Sequence, residues 1–552
     1  MTRRAILLHP DDNVATLVEP ALPGDMVEVG GLGRSPTSCP TGAGQDSGAA
    51  APDVRGPGDN VHEPGDLVTA VDSIAVGHKV ALSCISQGAV IVKYEAPIGV
   101  AVADIPRGAH VHVHNTRSVR GKYLAGERPG RERDPDHVTS GTVVAGDAPA
   151  ALREADLCRL PGPRQSSFKG FLRQDGSAGV RNHLLVLPVV ICAGAVADAI
   201  AAGMRGAVSV YHQHGCNLDP ATNADAERVF AGFGRNPNVG AVILVSLGCE
   251  TVSAERVAGE IARSGKPVEL VVIQRDGGSA ASIRKGRRIA RRLARRLESE
   301  ARVEIPVNQL TVGVECGASD AFSGLSANPA AGVMSDILVR CGGTVVLSET
   351  TEMIGAEHIL VGQARSEDVG RALLGIVHRT EGELAQIGGS PLGDITPGNI
   401  EGGLSTIEEK SLGCIRKAGT SPIQEVVGYG YAPSARGLVV MDTPGHDIES
   451  MTGMVAGGAQ VIVFTTGRGT PTGNPIAPVI KVASNSLVAR SLPDVIDVHA
   501  GDVLEGSSSL DATGIRIFEH LLAVACGRLT FSEKMGHREF ALRRHGTVCT
   551  LY

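Results

Sequence analysis

The chain has 552 residues, too many for one hydrophobic core, and this length implies roughly three domains. Hydrophobic residues make up 42% and charged residues 20%, the balance of a globular protein, and 71 glycines against no tryptophan point to many tight turns around a small polar ligand. A net charge of -7 excludes a general nucleic-acid binder, and no segment reaches the ~18 uninterrupted apolar residues of a membrane span.

The first elements in chain order are short and strand-like. "MVEVG" gives way to a stretch rich in Gly, Pro, Ser and Ala over about residues 33–66, whose composition cannot bury a core, so a flexible insertion is expected there. The runs "NVATLVEPAL", "KVALSCI", "AVIVKYEAPIGVAVADI" and "AHVHVHN" read as a small β domain over residues 1–118. Its last strand places His110, His112 and His114 at alternate positions, which predicts one imidazole face with Val111 and Val113 on the other. Residues 119–167 are polar and Pro-rich, as in a linker.

From Phe168 the texture changes to strand and helix in alternation. "HLLVLPVVICA", "AVSVYHQHGC" and "VGAVILVSLGCE" read as strands, with "AVADAIAAGM" and "AERVFAGFG" as helices between them. Strands apolar throughout predict parallel sheets covered on both faces: a first α/β domain over 168–302 and a second, catalytic one over 303–552, together expected to supply their own core. In "RKGRRIARRLARRLESE" the arginines fill one half of a helical wheel and Ile289, Leu293, Ala294 and Leu297 the other, which predicts an amphipathic surface helix rather than an RNA or membrane element.

Ligands of such sheets lie beyond the carboxyl ends of the strands. There stand Cys192, Cys216, Cys249 with Glu250, then Glu315, Cys316, Ser319 and Asp320, then Glu349, Glu352, Glu357 and His358. Cys216, Cys249 and Cys316, each just after a strand, leave two metal readings open: a thiolate-held iron–sulfur cluster or one divalent ion on mixed ligands. The loop "TTGRGTPTG" sets Arg468 and Gly469 in a backbone suited to a carboxylate or phosphate, and it is neither a Walker loop nor GxGxxG. Lys481, at a further strand end, is a candidate base or carboxylate partner. The eleven cysteines show no paired CxxC spacing and no N-terminal run resembles a signal peptide, so a cytoplasmic protein with reduced thiols is expected.

The strings "GHKVALSCISQGAVIVKYEAPIGVAVADIPRGAHVHVHN", "NPNVGAVILVSLGCE", "VECGASDAFSGLSANPAAG", "SETTEMIGAEH", "GNIEGGLSTIEEKSLG", "MDTPGHD" and "FTTGRGTPTGNPIAPVIKVASN" together resemble the altronate dehydratase and galactarate dehydratase family, in that family's order. The resemblance implies an N-terminal SAF-type β domain on a two-part α/β body that removes water from a sugar acid with a divalent metal, commonly iron or manganese. It matches "HVHN" to a site segment, making His112, His114 and Asn115 candidates.

On this reading Cys249, Glu315, Cys316 and Glu349 include metal ligands, and His112, His114 and Lys481 are ligands or acid–base groups. Asn115, Ser319, Asp320, Arg468 and Gly469 bind substrate. The expected product is a 2-keto-3-deoxy acid, and a homo-oligomer is expected, with neither nucleic acid nor membrane as partner. The sequence departs from the family in "ECGASD", where Ala318 replaces a glycine, and in the 33–66 insertion. A related branch cleaves sulfolactate on the same scaffold, so sulfite elimination is an alternative, as is non-catalytic binding of a sugar acid.

Overall fold

The computed structural model describes residues 1–31, 62, 64–120, 167–387 and 395–545. The insertion expected near 33–66 and the linker expected over 119–167 fall almost wholly outside the described residues. The N-terminal module is built from β1 (Thr2–Leu7), β2 (Val14–Leu17), β3 (Met26–Gly31), β4 (Leu67–Thr69), β5 (Lys79–Ala81), β6 (Val90–Lys93), β7 (Ala96–Ala101), β8 (His110–Val111) and β9 (Thr116–Arg117). They form a sheet ordered β4-β3-β1-β2-β5-β8 and a smaller one ordered β6-β7-β9.

In the body, β10 (Ser167–Leu172) and β11 (Ala178–Gly179) lead into β12 (His183–Pro188), β13 (Ala207–Ser209), β14 (Val239–Ser246), β15 (Val268–Val272) and β16 (Val303–Pro306). Strands β13-β12-β14-β15 form a parallel sheet, and β11-β10-β16 an antiparallel one beside it. All eight residues of β14 are buried. That is why the sequence there is apolar without alternation: helices cover both faces, and each buried Val, Ile or Leu contributes roughly 1.5–3 kcal/mol. The arginine-rich segment is the helix Ser279–Glu298, with Ile289, Leu293 and Leu297 buried and most of its arginines in solvent.

The second sheet contains β17 (Thr311–Gly317), β18 (Thr344–Leu347), β19 (Ile423–Val427), β20 (Gly437–Met441), β21 (Val461–Thr466), β22 (Val479–Ala483) and β23 (Val498–His499). Its order is β19-β20-β18-β17-β21-β22-β23, with every pairing parallel. The chain steps from β17 outward through β18 and later returns to lay β21 on the other side of β17. The order therefore reverses between β17 and β21, where an open α/β sheet forms its ligand crevice.

Two findings revise the picture of autonomous parts. Leu187 and Leu244 of the first sheet share one apolar core with Met454 and Phe464 of the second. The helices Pro220–Arg235 and Asp447–Ala456 meet so closely there that a Cβ on Gly232 would lie 2.3 Å from the Ala456 carbonyl oxygen. The largest core also joins Ile91, Ile98, Ile105 and Val111 of the N-terminal module to Phe322, Leu325 and Leu412 of the body. A body cut at Phe168 would expose part of this core.

Candidate active site

The imidazole face differs in detail from the alternating strand read in the sequence. Only His110 and Val111 are extended, because the Asn115 and Thr116 N–H groups both donate to the His112 carbonyl at 2.9 Å and turn the chain. Asn115 clamps this turn. Its Oδ1 accepts the His112 N–H at 2.9 Å and its Nδ2 donates to the His110 carbonyl at 2.8 Å. As a result Val111 is buried but Val113 is 44% exposed, so it does not face the core. His114 stands exposed with its ring 5.1 Å from that of His110.

The third member of the cluster is His78, which alternation along one strand could not find. It precedes β5, which pairs antiparallel with β8. Its ring stacks on His112 at 4.4 Å, and its Nδ1 lies 2.9 Å from His110 Nε2. One nitrogen from each of His78, His110 and His112 falls within 4.8 Å of the others. Burial pushes the His110 pKa down to about 4 and that of His112 to about 3, helped by neighbouring His78 and Lys79 respectively, so both rings are neutral near pH 7.

The histidines meet the body at the helix Pro397–Glu401, which opens on a capping box between Thr396 and Asn399. His112 Nε2 lies 3.1 Å from the Ile400 carbonyl oxygen and His78 Nε2 3.4 Å from that of Glu401. A carbonyl only accepts, so each Nε2 carries the proton and each Nδ1 keeps its lone pair. Imidazoles oriented by backbone carbonyls, neutral and mutually close, are what a divalent transition metal requires of its ligands. The residues present fit such an ion.

The same short helix gathers the two loops of the sheet crevice. Asn399 Nδ2 donates to the Ser319 carbonyl at 2.8 Å, and Arg468 Nη1 donates to the Gly398 carbonyl at 2.9 Å and to Glu401 at 2.7 Å. Asp320 accepts from Ser323, Ser484 and Asn485, which pins its loop in place. Gly469, at φ +89°, donates its N–H to Thr466 Oγ1 and closes the turn behind Arg468. Beneath them a cavity of about 10 Å³, room for one water, is lined by Tyr94, Ser319, Asp320, Glu409, Lys410 and Cys414.

A buried ion triad locks the N-terminal module to this region. Lys79 and Lys93 each donate to Glu409 at 2.8 Å, and Lys79 also donates to the Gly403 carbonyl at 2.9 Å. Burial works to raise the Glu409 pKa, but the two ammonium groups more than offset it and hold the carboxylate ionised. Burial lowers Lys79 to about 8 against the attraction of Glu409.

Deeper in the body lies a second charged cluster. Lys417 donates to Glu349 at 2.7 Å and to the Cys316 sulfur at 3.0 Å, while Cys316 donates to Glu352 at 3.0 Å. Lys410 pairs with Glu352 at 3.0 Å. Burial pushes Glu315 well above the usual carboxyl range and Glu349 up to about 7, each reinforced by a neighbouring carboxylate. Lys481 is fully buried, with Nζ 3.4 Å from the Phe464 ring centre and without a hydrogen-bond partner for Nζ among the described residues, and burial lowers its pKa to about 7.

The structure thus sorts the expected site residues. His112, Ser319 and Arg468 contact the helix Pro397–Glu401, with His114, Asn115, Asp320 and Gly469 in the turns that carry them, together with His110 of the predicted imidazole face and the unforeseen His78. Glu315, Cys316 and Glu349 share the buried cluster, joined by the unforeseen Lys417, Lys410 and Cys414, and Lys481 lies inside the body beneath Phe464. Cys249 is on the other sheet, exposed at the end of β14. Among the described residues, no helix is long and apolar enough to cross a membrane.

Three family models match consecutive parts of the chain. They are the altronate/galactarate dehydratase SAF domain over residues 45–119, the D-galactarate dehydratase/altronate hydrolase second domain over 170–298, and the D-galactarate/altronate dehydratase C-terminal domain over 307–548. The chain is 32% identical over 507 residues to an altronate dehydratase of Bacillus subtilis (strain 168), covering 89% of this chain and 95% of that one. It is 35% identical over 504 residues to a galactarate dehydratase (L-threo-forming) of Escherichia coli (strain K12), covering 86% and 91%. It is also 37% identical over 382 residues to a (2R)-sulfolactate sulfo-lyase subunit beta of Chromohalobacter salexigens, covering 68% and 97%. On the length and order of these matches, the chain belongs to the altronate/galactarate dehydratase family.

Proposed function

We propose that this protein is a hydro-lyase that removes water from a sugar acid of the altronate or galactarate type, giving a 2-keto-3-deoxy acid, with a divalent iron or manganese ion held by His78, His110 and His112. The observation that carries the reading is the meeting of these three neutral imidazoles with the Ser319–Asp320 and Arg468 loops at one short helix.

The proton beside a carboxylate is weakly acidic because its loss concentrates negative charge. When bound, a divalent ion supplies positive charge that polarises the carboxylate and steadies that build-up. Arg468, partly exposed on a tight turn, offers a planar guanidinium to a second anionic or hydroxyl group. His114, exposed at the rim of the histidine cluster, is assigned the proton transfer at the departing hydroxyl, since an imidazole ring can both give and take a proton. Asp320 and Asn115 already have their polar atoms engaged by the protein, so their part is to hold the loop and the turn. Lys481, enclosed under Phe464, balances Asp447 and Glu315 rather than meeting substrate.

The similarity to a sulfo-lyase subunit favours a second reading, elimination of sulfite from sulfolactate, because sulfonate and carboxylate present the same charge to Arg468. A panel of altronate, galactarate, other sugar acids and sulfolactate, with iron and manganese supplied in turn, separates them. Metal-dependent release of keto acid from a sugar acid supports the first reading and sulfite release the second. Binding of a sugar acid without turnover in metal-replete protein would support a purely binding role.

A further inference from the structure

The four-stranded sheet carries a group that the proposed reaction does not use. Cys192, Cys216 and Cys249 are all free and exposed, although free cysteine is among the most often buried residue types. They follow β12, β13 and β14, which are parallel neighbours, so the three loops emerge side by side at one carboxyl edge. Cross-loop bonds tie them together. The Ile191 N–H donates to the His214 carbonyl at 2.8 Å, and the Thr251 N–H donates to the Cys216 carbonyl at 2.8 Å. Every one of the cysteines stands within two residues of such a bond.

Three further observations bear on what these thiols hold. Each lies between a strand and the helix that follows it, Gly194–Ala201, Pro220–Arg235 or Ala254–Ala262. His214, in the same loop as Cys216, is 1% exposed, and its buried ring lies beside the Leu542 backbone. Finally, the three sulfurs do not form a set lying within 4.8 Å of one another, as ligands of a single ion do. Thiolates on different irons of a cluster stand farther apart.

The geometry points to a [4Fe–4S] cluster held by the thiolates of Cys192, Cys216 and Cys249, with the fourth iron open to an oxygen ligand. Binding releases three thiol protons to solvent and changes no oxidation state of the protein. Of the cysteines grouped in the sequence reading, Cys316 does not belong here, since its sulfur is engaged by Lys417 and Glu352 in the body, and Cys192 takes its place.

The test is anaerobic reconstitution of the full chain with equal amounts of ferrous and ferric iron and with sulfide, which together match the oxidation level of a [4Fe–4S]2+ cluster. About four irons and four sulfides per chain are expected, with broad visible sulfide-to-iron absorption and a paramagnetic signal on reduction. Cys192→Ser, Cys216→Ser and Cys249→Ser should each lose most of the cluster, while Cys84→Ser and Cys526→Ser keep it. His112→Gln should also keep it, so failure of the histidine site and failure of this one are read separately. In the unaltered protein, the cluster should protect the three thiols from alkylation, which serves if a variant does not fold. One metal per chain without sulfide, full cluster content in the three serine variants, or alkylation unchanged by reconstitution would overturn the assignment.

Discussion

His78 Nδ1 lies 2.9 Å from His110 Nε2, two ring nitrogens that either share a proton or turn both lone pairs to a common ion. Because His78 Nε2 already faces a carbonyl oxygen, its Nδ1 is the acceptor, and metal binding requires only that the neutral His110 ring carry its proton on Nδ1 instead of Nε2. His78→Ala should weaken Mn2+ or Fe2+ binding by on the order of 100-fold or more, with a change in stability typical of a surface substitution. Competition with a chelator reads the affinity. An unchanged affinity removes His78 from the metal site.

The buried triad makes a different kind of prediction. Glu409→Gln leaves the Lys79 and Lys93 ammonium groups inside the protein without their counter-ion, which costs about 3–5 kcal/mol. Urea unfolding should show this loss. A loss below about 1 kcal/mol would mean that the module is held by its apolar contacts alone.

Lys481 gives a pH-dependent outcome. Its folded pKa of about 7 lies below the ordinary 10.5, so between these values the unfolded chain holds a proton that the folded chain lacks. Its penalty is therefore full below pH 7 and fades as pH rises to 10.5. Lys481→Met should stabilise the protein by on the order of 1–3 kcal/mol at pH 6, with the gain shrinking steadily above pH 7. Equilibrium unfolding of both proteins across this range checks the trend, and a gain independent of pH contradicts it.

Ala318 sits at φ +50° in the left-handed region. An alanine there costs about 1–2 kcal/mol relative to its preferred conformations, and glycine returns part of this as chain entropy. Ala318→Gly should raise stability by about 0.5–1 kcal/mol, and the β-branched Ala318→Val should lower it by more than that. Thermal melts of the pair test the sign.

Much of the body was legible in the sequence, because its signals are local. The unbroken apolar run of β14 and the arginine half-wheel of Ser279–Glu298 each report their own burial. The histidine turn was half legible: the spacing of His110 and His112 marked a cluster of rings, but Asn115 bends the chain after Val111, and this hydrogen-bonded turn is invisible to a period of two. His78, the helix Pro397–Glu401 and the Lys79–Glu409–Lys93 triad were not legible. Glu409 lies more than 300 residues from Lys79 and Lys93, and His78 meets His110 from a neighbouring strand 32 residues away, pairings that leave no periodic trace. Lys417 and Cys316 illustrate the same limit, since an isolated lysine gives no sign that a buried thiol awaits it.

The central claim is that the histidine face of the small module completes a metal-dependent site on the body. It is tested most directly by measuring keto-acid release from altronate and galactarate for the unaltered chain and for His112→Gln with His114→Gln, in saturating Fe2+ or Mn2+. The account predicts that turnover falls by orders of magnitude while unfolding stability changes by no more than about 1 kcal/mol. Near-equal turnover by the double variant would contradict it and leave His112 a structural contact between module and body and His114 a surface residue.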